Sequence, residues 1–165
     1  MPSESEFIKA IKDNEAVLYK ATRLYTDNKP DQKDLYQEIV INLWKGFDSF
    51  RGDAQLRTWI YHIALNTAIL FLKNKKRRGY SVSLDNVVFI EEKYDPILEE
   101  RLKILYHKIK ELKDVDRGII FLYLEGKKYD EIASITGLSE SNIGTRMARI
   151  KNKLSKKILK NKLWN

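Results

Sequence analysis

Tyr129-Asp130-Glu131-Ile132-Ala133-Ser134-Ile135-Thr136-Gly137-Leu138-Ser139-Glu140-Ser141-Asn142-Ile143-Gly144-Thr145-Arg146-Met147-Ala148-Arg149 is the stretch that decides the fold. Ile132, Ala133 and Ile135 share one face of a short helix. Ala133 is small where two helices cross closely. Gly137 follows where the chain must turn sharply and a positive φ is needed. Ser139 then stands as an N-cap for the next helix, its hydroxyl accepting from free backbone N–H groups. Ile143, Met147 and Ile150 recur at spacings of four and three and form that helix's buried stripe. The other face carries Ser141, Asn142, Thr145, Arg146, Arg149 and Lys153. Two short helices, a tight turn and a second helix with a polar, basic face make a helix-turn-helix, whose second helix enters a DNA major groove. Short polar groups at its start suit base edges and phosphates, and the cations further along suit the backbone. The plainer alternative is a small three-helix unit with a solvated basic face.

Outward from this run, nearly everything reads helical. Ser3-Glu4-Ser5-Glu6 resembles a capping box opening one helix through about Tyr25. Thr26-Asp27-Asn28-Lys29-Pro30 breaks it, and Asp31 is expected to cap a second helix with Leu35, Tyr36, Ile39, Val40, Leu43, Trp44 and Phe47 inward. Phe47 to Gln55 reads as a loop. A third helix spans about Leu56 to Lys76, with Trp59, Ile60, Ile63, Ala64, Thr67 and Phe71 inward. Residues 80–95 show no period and read as an extended linker. Pro96 opens a fourth helix to about Lys113. A fifth begins at Val115 or Asp116 and ends at Gly126. The final helix runs towards Lys160. The expected fold is all-α: helical domains at 1–79 and 96–165, joined by an extended acidic linker at 80–95.

Charge supports that division. The net charge is +8 over 165 residues. Residues 1–80 hold 14 basic and 10 acidic side chains, 81–100 hold 1 and 6, and 101–165 hold 16 and 7. Two basic blocks flank an acidic strip, the electrostatic footprint of a nucleic-acid binder. The chain has no cysteine, which removes disulfides and thiolate metal sites. No apolar run is long enough to span a bilayer, so a cytoplasmic protein is expected.

The stretch Asp34-Leu35-Tyr36-Gln37-Glu38, followed by Trp44, Phe50-Arg51-Gly52-Asp53 and Thr58-Trp59-Ile60-Tyr61-His62-Ile63-Ala64-Leu65-Asn66, resembles region 2 of bacterial RNA polymerase sigma factors. The C-terminal run, preceded by Arg117 to Gly126, resembles region 4 of the same family. Their order and spacing resemble the small extracytoplasmic-function (ECF) group. The residues alone reach a bipartite, basic, helical DNA binder; the resemblance supplies the polymerase.

The resemblance implies a promoter-specificity subunit whose partners are core RNA polymerase, through its β′ clamp helices and β subunit, and promoter DNA. It adds an anti-sigma factor as a candidate partner. Gln37 and Glu38 match the positions that dock on the clamp helices; periodicity reads them simply as a solvated face. Phe50, Asp53, Ala54 and Gln55 match a loop that captures a base flipped from the downstream promoter element, and Asn66 matches a further contact. An unstacked base needs an aromatic or apolar wall and polar groups for its edge. Phe50 reads equally well as a plug beneath the loop, and Asn66 as a solvated side chain. Trp59 leans to core packing. Thr145 and Arg149 match contacts to the upstream element, and Arg146 suits phosphates or packing. Gly144, Leu70 and His62 depart from the family pattern.

No catalytic constellation is present. His62 and His107 are far apart in sequence, no Gly-rich phosphate loop occurs, and Asp34 with Glu38 lacks a third metal ligand. No enzyme activity, metal or cofactor is expected. Two rivals are set against the sigma reading. A free-standing helix-turn-helix regulator fits the linker and C-terminal run but not the N-terminal pattern. A nuclease needs an acid–base or metal cluster that the sequence does not contain.

Overall fold

The computed structural model describes residues 3–50, 52, 55–77 and 96–159. The described residues form eight α-helices and no strand. Contacts divide the chain into two compact units, Met1–Val88 and Phe89–Asn165. The expected linker at 80–95 lies outside the described residues, as do Asp53 and Ala54.

The first unit contains α1 (Glu4–Asp13), α2 (Glu15–Leu24), α3 (Lys29–Phe47) and α4 (Leu56–Arg77). The capping box forms: Ser3 Oγ accepts from Glu6 N at 3.2 Å, and Glu6 Oε2 accepts from Ser3 N at 2.7 Å. The single helix expected through Tyr25 is instead two. Asn14 breaks it, with φ −117° and ψ 10°. Its amide is buried and donates to Ala10 O at 2.8 Å, and its Oδ1 accepts from Arg57 Nε at 3.3 Å. A side-chain amide that satisfies backbone and neighbour at once outcompetes helix continuation. The apolar pattern runs through this break because α1 and α2 both pack inward, on Phe7 and Ala10 and on Leu18, Ala21 and Leu24.

At α3, Asn28 is the cap in place of the expected Asp31. Asn28 Oδ1 accepts from Asp31 N at 2.8 Å. Pro30, inside the first turn, has a preset φ and no N–H to satisfy, so the helix starts upstream of Asp31. Asp31 instead binds Lys75 Nζ of α4 at 2.8 Å. The buried stripe is Gln32, Leu35, Ile39, Leu43 and Phe47. Trp44, expected inward, is 51% exposed. Tyr36 is half-buried and stacks on Tyr19 with ring centroids 4.5 Å apart. Burial, with Tyr19 and Glu15 adding to it, pushes the Tyr36 hydroxyl up to about 12.

α4 packs most extensively on α3 and also against α2. It buries Ile60, Tyr61, Ala64, Leu65, Thr67, Ala68 and Leu72, a face wider than one stripe. Tyr61, Leu65, Ala68 and Leu72 were not among the inward positions expected, whereas Trp59, Ile63 and Phe71 were and are only half-buried. A helix with two packed neighbours buries two adjoining stripes, so one period misplaces its centre. Each fully buried Leu or Ile here contributes about 1.5–3 kcal/mol.

The second unit contains α5 (Pro96–Lys110), α6 (Asp114–Leu124), α7 (Tyr129–Thr136) and α8 (Glu140–Leu159). α5 stops at Lys110, short of the expected Lys113. The buried Arg117 side chain accounts for the stop: its Nε donates to Leu112 O at 3.1 Å and its Nη2 to Lys110 O. A guanidinium thus takes carbonyls that the helix end leaves open. α6 buries every residue from Arg117 to Leu122. α8 packs against α5, α6 and α7 and closes the core with Ile143, Met147, Ile150 and Leu154.

Candidate nucleic-acid interface

The turn between α7 and α8 follows from its residues. Gly137 ends α7 at φ 78°, a left-handed conformation that costs a side chain energy but glycine none, and its N–H donates to Ala133 O at 2.9 Å. Two residues later Ser139 Oγ accepts from Asn142 N at 3.1 Å, capping α8. Ile132 and Ile135 are buried on α7, and Ile143, Met147 and Ile150 on α8. Ala133 is half-buried beside them. The helix-turn-helix read from this run is thereby formed.

Burial of one α8 face decides what the other presents. Ser141, Thr145, Ala148, Arg149, Asn152 and Lys153 are exposed. Thr145 Oγ1 donates to Ser141 O at 3.2 Å, so the hydroxyl proton is engaged and the oxygen keeps its acceptor capacity. Arg149 projects one turn further on. Asn142 and Arg146 behave differently: both are half-buried. Arg146 Nη1 pairs with Asp116 Oδ1 of α6 at 2.9 Å, and its Nε donates to Asn142 Oδ1 at 3.1 Å. On the flank, Lys151 Nζ lies 4.4 Å from the Tyr123 ring centroid. Gly144 faces Tyr129, where an added Cβ would lie 3.9 Å from Cε2 in ordinary contact.

In the first unit the residues singled out from the sequence fall on two surfaces. Gln37 and Glu38 are exposed on α3, on one face with Asp34, Ile41 and Lys45 and opposite the buried Leu35–Ile39–Leu43 stripe. Phe50, Gln55 and Asn66 belong to the second surface, at the α3–α4 connection and along α4. Phe50 is half-buried, its ring 5.4 Å from Trp59, centroid to centroid. Trp59 in turn meets Phe47 at 6.3 Å, and Phe47 meets Phe7 at 5.2 Å. Gly46 lets this cluster close: a Cβ there would sit 3.0 Å from Trp59 Cζ2. Phe50 is therefore the outer member of a cluster of tilted and edge-on aromatic rings rooted in the core, and both of its readings share that geometry.

Gln55 is exposed just before α4. Along α4, His62, Asn66, Leu70, Lys73 and Arg77 follow on one outward strip. Asn66 is exposed, and its Nδ2 lies 3.1 Å from His62 Nε2. Leu70 is 59% exposed, the most solvent-open large apolar group among the described residues of the first unit. Beneath the strip, Asn42 Nδ2 donates to Thr67 Oγ1 at 3.0 Å, and Thr67 Oγ1 donates to Ile63 O at 2.7 Å, tying α3 to α4.

The sequence reading missed the roles of Asp116 and His62. His62 stands four residues before Asn66, a helical-neighbour spacing visible in the sequence. Asp116 lies thirty residues from Arg146, and no local pattern links them. Among the described residues no group of three or more His, Asp or Glu is placed to hold a metal ion. No described helix is long and apolar enough to cross a membrane.

Each unit matches a part of one known family. Residues 10–78 match the family described as Sigma-70 region 2, and residues 102–154 match Sigma-70 region 4. The chain is 30% identical over 141 residues to the ECF RNA polymerase sigma-E factor of Escherichia coli (strain K12), covering 78% of this chain and 74% of that protein. It is 29% identical over 136 residues to RNA polymerase sigma factor YlaC of Bacillus subtilis (strain 168), covering 79% of each. In fold it is similar to CnrH, solved in complex with the cytosolic domain of CnrY, at a TM-score of 0.72 and 19% identity over 96% of this chain and 91% of that one. It is also similar to the sigma factor RpoE of Bartonella quintana, solved with the anti-sigma factor NepR, at a TM-score of 0.71 and 23% identity over 93% of this chain and 96% of that one.

Proposed function

Because the chain belongs to the ECF RNA polymerase sigma factors, we infer that it binds core RNA polymerase, directs it to specific promoters and assists the opening of promoter DNA. The observation that carries this is the pairing of region 2 at residues 10–78 with region 4 at 102–154 on one chain, the latter holding a formed helix-turn-helix. A free-standing regulator leaves the region 2 match without a purpose.

The division of labour follows the two units. Residues 1–79 bind polymerase and the downstream promoter element, residues 80–95 link, and residues 96–165 bind the upstream element. Gln37 and Glu38, exposed on α3, meet the β′ clamp helices. Phe50, with Asp53, Ala54 and Gln55, receives a flipped base, and Asn66 reads beside it. The aromatic cluster behind Phe50 supports this: a stacking platform for an unpaired base works only if it is held rigidly from behind. Ser141, Asn142, Thr145 and Arg149 meet the upstream duplex, and Arg146 serves that interface from between α6 and α8. The protein catalyses no reaction itself and acts in the cytoplasm, where its polymerase is. An anti-sigma factor occluding both modules is a further partner under this reading.

Run-off transcription with core polymerase and a randomised promoter library is the test. The expected result is transcription that depends on the chain and selects two separated sequence elements. Tight, sequence-specific DNA binding by the isolated chain, with no effect on core polymerase, would overturn the proposal.

A further inference from the structure

Asp116, Arg146 and Asn142 form one chain of hydrogen bonds that ends at the surface of α8. Asp116 Oδ1 holds Arg146 Nη1 at 2.9 Å, with only 17% and 28% of the two side chains exposed. Arg146 Nε then donates to Asn142 Oδ1 at 3.1 Å. A guanidinium has donors only. The atom it binds on Asn142 must therefore be the amide oxygen, and chemistry settles the orientation of the amide. The NH2 group is left directed away from Arg146.

An unrestrained asparagine offers DNA either its acceptor or its donors, because rotation about its last torsion exchanges them. Two-point pairing with adenine needs both at once, Oδ1 accepting from N6 and Nδ2 donating to N7. Here Asn142 presents donors. Asp116 makes this persistent: without it, Arg146 is a long side chain free to swing to solvent or to a phosphate, and Asn142 is released. A first-turn acid of α6 would favour the helix dipole wherever its carboxylate pointed, so the dipole does not account for the 2.9 Å aim at Arg146.

We propose that Asp116 is a positioning residue which, through Arg146, fixes Asn142 as a hydrogen-bond donor to an acceptor on a base edge of the upstream element, such as guanine O6 or N7 or thymine O4. The inference rests on the reading of α8 as the upstream-element helix. Asp116 touches no DNA, and its effect is confined to the base that Asn142 meets.

The test uses holoenzyme reconstituted from core polymerase and full-length chain, with a promoter library randomised in the upstream element. The parent selects an acceptor-bearing base at one position, and Asn142→Ala flattens that position. Asp116→Ala flattens the same position by roughly 2- to 10-fold, the size of one hydrogen bond, and leaves its neighbours unchanged. Asp116→Glu retains part of the preference. The double variant Asp116→Ala/Asn142→Ala is no flatter there than Asn142→Ala alone, since coupled residues do not add. Asn142→Asp turns the preference towards bases that present an amine, cytosine N4 or adenine N6. Selection in the parent that Asp116→Ala leaves intact, or weakens equally at every position, overturns the inference alone. An Asn142→Ala effect equal across all sequences assigns the contact to a phosphate and overturns it too. A parent with no upstream preference overturns the reading of α8 and the inference together.

Discussion

The outward strip of α4 and the outward face of α8 use different chemistry. On α4 the sequence of side chains is His62, Asn66 and Leu70, and the cations Lys73 and Arg77 come only near its end. On α8 it is Ser141, Thr145, Arg149, Asn152 and Lys153, hydroxyls and amides interleaved with cations from the middle onward. A strip of imidazole, amide and apolar side chains beside Phe50 suits bases that have left the stack, whose faces and edges are open. Hydroxyls and cations suit a duplex, where only base edges and phosphates are offered. Their supports differ as well. Phe50 leans on an aromatic cluster that runs through Trp59 and Phe47 to Phe7, whereas Arg146 is held by polar partners, the Asp116 carboxylate and the Asn142 amide oxygen. Trapping a base needs a rigid wall, and reading an edge needs a fixed donor.

Four substitutions break or sharpen this contrast. The largest effect belongs to Glu38→Lys. Reversing a charge at an interface costs several kcal/mol, so affinity for core polymerase falls by roughly 30-fold or more. Upstream-element selection by any holoenzyme that forms stays unchanged. Competition binding to core polymerase measures the first and library selection the second, and normal core affinity would show that this face of α3 is only solvated. Arg149→Ala gives the converse, on the order of tenfold weaker upstream-element recognition with core affinity intact. If both variants transcribe like the parent, the two-surface assignment fails.

The remaining pair compares two helical glycines. Gly46→Ala places a methyl 3.0 Å from Trp59 Cζ2. Trp59 is braced by Phe47 and Phe50, so thermal or urea unfolding should show a loss of about 1–2 kcal/mol. Promoter opening should fall with it, because the wall behind Phe50 shifts. Gly144→Ala meets only an ordinary contact at 3.9 Å from Tyr129. It should stabilise the chain by about 0.5–1 kcal/mol through helix propensity. Destabilisation at Gly144, or none at Gly46, would mean that the aromatic core is the more compliant of the two environments.

Much of the second unit was legible because its signals are local. Gly137 and Ser139 are turn and cap by their own chemistry, and Ile143, Met147 and Ile150 mark a face by spacing alone. The first unit was harder. Asn14 gave no sign of a break, since its amide needs Ala10 and Arg57 placed around it. Trp44 fits the inward period of α3 yet stands half in solvent against Phe7, their centroids 5.0 Å apart. Asp31 has the right type for a cap, but Pro30 beside it moved the helix start to Asn28.

The order of motifs and the charge blocks along the chain were enough to determine an all-helical, two-part DNA binder, because helix periodicity, caps and glycine turns are short-range properties of neighbouring residues. Only the tertiary structure decided that Phe50 is backed by an aromatic column, that Arg117 closes the end of α5, and that Asp116 holds Arg146. Each of those joins side chains from separate helices or across a turn, and contact at such a distance is set by how whole helices pack.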